Sequence, residues 1–282
     1  MHSEESSLSG TTSASQATQI FFFAHQDDEF AVFQAIEQAI STGHEVLCVY
    51  CTTGAPPGHS PDQRQRESLH VLKALGVHAQ QVLFAGGALG IADQQLMHKL
   101  DMLVPWLVQL LKSRPDTEHL YIPAWEGGHP DHDALHAAVL AACRQVKLQA
   151  ALWQFPLYNG DQRRWGLFRL FKPLPIHGPV MRQSIAARRR WFYLKLCLTY
   201  RSQWRSWLGL MPALCWFYLL KGVQQLQRVN IIAALQRPHP GPLYYEQRRF
   251  ARWTDMQAAL LVLQGSTPDA ADDPGTSPSK CQ

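Results

Sequence analysis

The sequence is short of charge. Of its 282 residues only 17% are charged, against about 25% in an average soluble domain. Lys and Arg number 26 and Asp and Glu 22, a balance of +4. So mild an excess does not by itself argue for a nucleic-acid partner. Cysteine is sparse too. The six, Cys48, Cys51, Cys143, Cys197, Cys215 and Cys281, are scattered along the chain, which excludes the disulfide scaffold of small secreted domains. The longest apolar run, Trp207 to Leu220, has 14 residues, and a bilayer-spanning helix needs about 20. The N-terminal residues lack a basic segment followed by an apolar one, so no signal peptide is expected. There is no internal repeat. The expectation is a globular protein of the reducing cytoplasm.

What the chain does have is apolar content, at 46%, with nine Trp and thirteen His. Its length suffices for one large domain or two small ones with a sizeable core. Residues 1–18 are rich in Ser, Thr and Gln and read as a disordered arm, and residues 266–282 read as a disordered tail. Between them, 19–265 read as one catalytic domain, with a core over 19–156 and a loop and helical cap over 157–265. In the first half, short apolar runs at 19–24, 45–51, 81–84, 119–122 and 150–155 predict strands. Helical spacing over 29–40, 62–75, 93–112 and 133–146 predicts helices between them. This alternation predicts an α/β fold, a Rossmann-like parallel sheet flanked by helices. In the second half, 156–180 reads as a long loop, 181–200 as a basic aromatic helix and 207–229 as an apolar helix interrupted at Pro212. Together these predict a helical C-terminal cap.

Two clusters follow predicted strands. His25-Gln26-Asp27-Asp28-Glu29 comes after the first, and Gly127-Gly128-His129-Pro130-Asp131-His132-Asp133 after the fourth. Either one alone is compatible with a helix N-terminus, Asp27 capping the first and Asp131 or Asp133 the second. Together they say more. In open α/β sheets, loops at the carboxyl ends of separate strands converge on one crevice. Two His and an Asp with one open position make the ligand set of a catalytic zinc site, and further carboxylates nearby would serve as base.

The motifs AHQDDE at Ala24–Glu29 and HPDH at His129–His132 resemble those of the PIG-L/LmbE-like metal-dependent deacetylases. RQRESLHVLKALGV at Arg64–Val77 and KLCLTYRSQ at Lys195–Gln203 are similar to later segments of that family, with a weaker echo over Tyr245–Phe250. The chain departs from the family at Gln26, where proline is usual. The resemblance implies His25, Asp28 and His132 as ligands of zinc (Zn2+), with another divalent metal such as Fe2+ as the alternative. It implies Asp27 as general base, His129 as oxyanion stabiliser or acid, and Asp131 as a residue that orients a histidine. The implied substrate is an N-acetyl amino sugar, free, phosphorylated or lipid-linked. Two other readings stay open: an amidase acting on a larger sugar-linked amide, and a non-catalytic sugar- or lipid-binding module.

Other features have two readings each. Arg64 would bind a substrate hydroxyl or phosphate, or form an ion pair with Glu67 three residues on. Thr52-Thr53-Gly54 would line the pocket. Cys48 and Cys51 would be core residues on opposite faces of their strand. The basic and aromatic stretch from Arg182 to Trp207 is either a solvated helix face or a peripheral membrane contact. Oligomeric state is open, and no nucleic-acid partner is expected.

Overall fold

The computed structural model describes residues 16–161 and 169–265. The expected tail, and the expected arm up to residue 15, lie outside these. Five parallel strands are built by the first half: β1 (Thr18–Phe23), β2 (Glu45–Tyr50), β3 (Val82–Phe84), β4 (Thr117–Pro123) and β5 (Ala151–Phe155). Between them run helices α1 (Phe33–Ser41), α2 (Asp62–Leu75), the short α3 (Ala85–Leu89), α4 (Leu100–Lys112) and α5 (Pro130–Val146). The predicted α/β architecture is therefore present. β1, sequence TQIFFF, is buried along its whole length, as a central parallel strand covered on both faces must be. Its side chains alternate between two cores. Ile20 and Phe22 face the one built with α4 and α5, and Phe21 and Phe23 face the one built with α1 and α2. Cys48 and Cys51 are likewise buried in opposite cores.

The second half contains a short strand pair, β6 (Tyr158–Asn159) with β7 (Arg169–Leu170). It continues with β8 (Val180–Ser184), α6 (Ala187–Cys197), α7 (Trp204–Cys215) and a π-helical extension over Trp216–Lys221. After β9 (Val223–Arg228) come α8 (Tyr244–Gln247) and α9 (Trp253–Gly265). The sheet order is β3-β2-β1-β4-β5-β9-β8, with β9 antiparallel to β5 and β8 antiparallel to β9. Two predicted helices are thus corrected at their ends. Residues 181–184 and 223–228 are strands. β8 is an edge strand with half-exposed Val, Met and Gln and exposed Arg and Ser, so no apolar alternation announces it, and its form comes from pairing with β9. Gly222, left-handed at φ 57°, stops the preceding helix, as glycine at a helix end does. The predicted helix 93–112 also starts late, at Leu100, leaving 93–99 as a loop with a 3-10 turn.

The chain runs outward from β1 to β2 and β3, then crosses back to place β4 on the other side of β1. The carboxyl ends of β1 and β4 therefore adjoin at a topological switch point, where α/β sheets bind ligands.

Candidate metal centre

The loop after β1 turns sharply through Asp27, a non-glycine residue at φ 133°. That conformation is sterically costly for any residue with a Cβ. The Asp27 N–H donates to Glu29 Oε2 at 3.0 Å, and the His25 N–H donates to Asp28 Oδ2 at 2.8 Å. Asp27 makes no side-chain cap bond, so its carboxylate is left to the cavity. In the second loop His129 is itself the N-cap of α5, its Nδ1 accepting from the Asp131 N–H at 3.2 Å. Asp133 caps backwards instead, accepting from the Glu126 and Gly127 N–H groups at 3.2 and 3.3 Å. Gly128 is required here, because a Cβ would sit 2.0 Å from the Tyr158 carbonyl oxygen.

The two loops bring His25, Asp28 and His132 together. His132 Nε2 lies 3.3 Å from His25 Nδ1 and 3.2 Å from Asp28 Oδ1. His25 Nδ1 lies 3.7 Å from Asp28 Oδ2. Donors about 2.0–2.2 Å from a tetrahedral ion stand at edge distances of this size, although the two contacts of Asp28 run to its two different oxygens. The other nitrogen of His25, Nε2, is 3.1 Å from Asp131 Oδ2 and 3.1 Å from Asp93 Oδ1. A carboxylate behind a ligating imidazole fixes its tautomer and orientation. Among the described residues, two overlapping donor groups have their atoms within 4.8 Å of one another: His25, His129 and His132, and His25, Asp93, His129 and Asp131, neither of them including Asp28. Asp131 is itself anchored by the N–H groups of Gln94 and Leu96, at 2.7 and 3.1 Å.

Electrostatics follow from burial and these partners. Burial opposes charge on His25, but Asp131, Asp28 and Asp93 outweigh it and hold its pKa well above the ordinary value. Burial also opposes charge on Asp28, and His132 and His25 outweigh it to keep its carboxyl well below the usual range. Burial pushes Asp27 up to about 7, with Arg64 pulling the other way. Burial, then the neighbouring His25, lowers His129 to about 3, so its imidazole is neutral near pH 7.

Arg64 does not pair with Glu67. Its Nη2 donates to the Gln26 carbonyl at 2.7 Å and to Asp27 Oδ1 at 3.2 Å, and its Nη1 donates to the Gly54 carbonyl. Glu67 instead accepts from the Ser202 N–H at 2.9 Å and from the Ser202 hydroxyl, tying α2 to the cap. The Gln26 amide donates to the Thr52 carbonyl at 3.2 Å. Thr52–Gly54 thus back the Gln26–Arg64 layer and are not part of the cavity wall, contrary to expectation.

The site opens into a cavity of about 480 Å3, whose lining includes His25, Asp27, Asp28, Arg64 and His129. Asp93, Tyr158, Tyr244, Arg248 and Phe250 line it as well, and Gln203 and Leu210 extend it toward the cap. Asp93 falls at the head of an amphipathic pattern, which gives it no signal as a site residue in the sequence. Tyr244, Arg248 and Phe250 belong to or adjoin the weak echo over Tyr245–Phe250, the one signal that pointed to them.

Three deacetylase structures share the fold. The zinc-inhibited form of teicoplanin deacetylase has a TM-score of 0.53 at 16% identity, covering 76% of this chain and 99% of that one. N,N'-diacetylchitobiose deacetylase from Pyrococcus horikoshii scores 0.53 at 18% identity, over 81% and 88%. The A40926 pseudoaglycone deacetylase scores 0.51 at 18%, over 80% and 99%. A search of curated proteins gives no match. Residues 20–143, spanning both metal motifs, match the family described as GlcNAc-PI de-N-acetylase. Over these residues the chain is similar to the PIG-L family.

Proposed function

We propose that the protein is a metal-dependent hydrolase that removes the acetyl group from an N-acetyl amino sugar. The observation that carries this reading is the convergence of His25 Nδ1, His132 Nε2 and the Asp28 carboxylate, its Oδ1 3.2 Å from His132 and its Oδ2 3.7 Å from His25, beside the Asp27 carboxylate. These three residues would hold the cation, zinc in the first place and Fe2+ as the alternative. A cation there supplies Lewis acidity, polarising a carbonyl and lowering the pKa of water toward about 7.

The chain's own residues do the rest. Asp27, which lines the cavity, accepts the proton of the attacking water. His129 accepts the Asp131 N–H at Nδ1, so its proton is on Nε2. That neutral N–H donates to the oxygen of the tetrahedral intermediate, as an oxyanion-hole group does. Asp27, with a pKa of about 7, then returns its proton to the leaving amine. Asp131 orients His25, and Arg64 steadies Asp27 while offering its remaining face to a substrate hydroxyl or phosphate. Residues 19–156 would carry the chemistry, and 157–265 would shape the wall that selects a free, phosphorylated or lipid-linked sugar. The protein would work in the cytoplasm.

The test is acetate release from a panel of free, nucleotide-linked and lipid-linked N-acetyl sugars. At least one should be deacetylated by the metal-loaded protein, and Asp27→Asn should abolish turnover while keeping the metal. No acetate from any member of the panel would refute the reading.

A further inference from the structure

Among the described residues no helix is long and apolar enough to cross a membrane, yet one face of the cap is apolar and exposed. Along α7 and its π extension, Trp204, Leu208, Pro212, Trp216 and Leu220 recur every fourth residue, and all five are exposed. Leu208 is 72% and Leu220 65% accessible, and Trp204 and Trp216 are 60% and 57%. An α-helix advances a stripe of this spacing in one rotational sense, and a stretch with more residues per turn brings it back. The opposite face, Trp207, Leu214, Phe217 and Tyr218, is buried in the core. The helix is thus apolar nearly all round, although half of it meets solvent, which an ordinary surface helix is not. On α6, Arg188, Trp191, Lys195 and Leu198 are exposed at helical spacing, with Trp191 at 58% and Leu198 at 60%.

The charge around this face has one sign. Residues 162–245 contain fourteen Lys or Arg and no Asp or Glu. Arg188 and Lys195 on α6, Arg201 just before α7 and Lys221 at the end of the π extension are all exposed. Arg189, by contrast, is committed to Glu37 of α1. Exposed Trp and Leu rimmed by Arg and Lys make the composition of a helix lying in a bilayer interface. A symmetric pair of chains joined through this face would bring its cations against their own copies, whereas an anionic surface complements them.

We propose that α6, α7 and the π extension dock the protein on an anionic membrane, with Trp204, Leu208, Trp216 and Leu220 in the interface and Arg188, Lys195, Arg201 and Lys221 on the headgroups. Docking itself does not depend on the deacetylase reading. Its consequence for substrate rests on that reading: Gln203 and Leu210 of the same segment line the cavity, so the docked face stands within one helix diameter, about 10 Å, of the catalytic mouth.

The test is co-sedimentation of the full chain with vesicles of phosphatidylcholine containing one-third phosphatidylglycerol, against phosphatidylcholine alone. Binding to the anionic vesicles is expected at low salt, weakening as salt shortens the screening length. The triple substitution Leu208→Ser, Trp216→Ser, Leu220→Ser should lower partitioning by about tenfold or more. Lys195→Glu with Lys221→Glu should remove the preference for anionic lipid. Both variants should keep the wild-type circular dichroism spectrum and acetate release from a soluble substrate. Failure to bind at low salt would overturn the proposal. So would a concentration-dependent dimer in ultracentrifugation that the triple substitution abolishes, since the stripe would then join two copies. Vesicle binding without any acetate release would support docking and contradict the deacetylase reading alone.

Discussion

The backbone N–H of Asp27 donates to the Glu29 carboxylate at 3.0 Å, and this bond pins Asp27 at φ 133°. A residue with a side chain in such a conformation costs about 1–3 kcal/mol. The structure around it must supply that, and Glu29 is completely buried beneath the loop. Glu29→Ala should therefore lower kcat by roughly 10- to 100-fold, the range seen when a group that orients a catalytic residue is lost. Metal content should not change. Glu29→Gln, whose amide oxygen can accept the same bond, should recover most of the rate. Wild-type turnover in Glu29→Ala would mean that the bond positions nothing.

Burial and, against it, Arg64 set the pH at which Asp27 ionises. Burial raises the Asp27 pKa, and the guanidinium 3.2 Å away lowers it. A base must be ionised to accept a proton, so activity is gained as pH rises through this pKa. Removing the cation in Arg64→Met raises the pKa further. The acid limb of kcat/KM should then move to higher pH, and an unmoved or lowered limb would contradict the assignment of Asp27 as base.

Much of this site was legible in the chain, because its chemistry sits in two compact clusters next to strong strand signals. QIFFFA and the segment leading to Gly127 each read as a buried strand, and the loops that follow carry His25–Glu29 and His129–His132. What joins them was less visible. Asp93 belongs to a loop that the amphipathic spacing of 93–112 disguised as helix. Arg64 and Glu67, three apart on α2, suggest each other as partners, but each is claimed by a distant element, the β1 loop and Ser202. The cap is the hardest part to read. β8 carries no apolar alternation and is a strand only because β9 is beside it.

Asp131 holds two parts of the site at once. It touches His25 Nε2 at 3.1 Å and accepts the N–H groups of Gln94 and Leu96. Asp131→Ala should weaken metal binding by about 10- to 100-fold in a chelator competition. It should also lower stability by about 1–3 kcal/mol for each backbone donor left buried and unpaired. Metal affinity equal to wild type would show that His25 does not depend on this carboxylate.

His136 makes an acid-stability prediction. Its Nδ1–H donates to the Pro123 carbonyl at 2.8 Å, and its Nε2 is buried without a partner. Burial lowers its pKa to about 3. Below about 6.5 the unfolded chain binds a proton at this position that the folded chain does not. Stability therefore falls as pH drops from about 6.5 toward 3, by about 1.4 kcal/mol per pH unit from this group. His136→Leu should be less stable than wild type at pH 7, through loss of the Pro123 bond, and should lose less stability between pH 7 and pH 4.5 in urea unfolding. A decline as steep as wild type would place the acid sensitivity elsewhere.

In the proposed site His25, Asp28 and His132 hold the metal, with His129 beside it but not on it. The four-residue group His25, Asp93, His129 and Asp131 is the competing arrangement. Metal content per chain, measured by plasma mass spectrometry after dialysis on folded His132→Ala and His129→Ala proteins, separates the two. His132→Ala is expected to lose the metal, and His129→Ala to keep it while losing turnover. Metal retained by His132→Ala and lost from His129→Ala would contradict this ligand set.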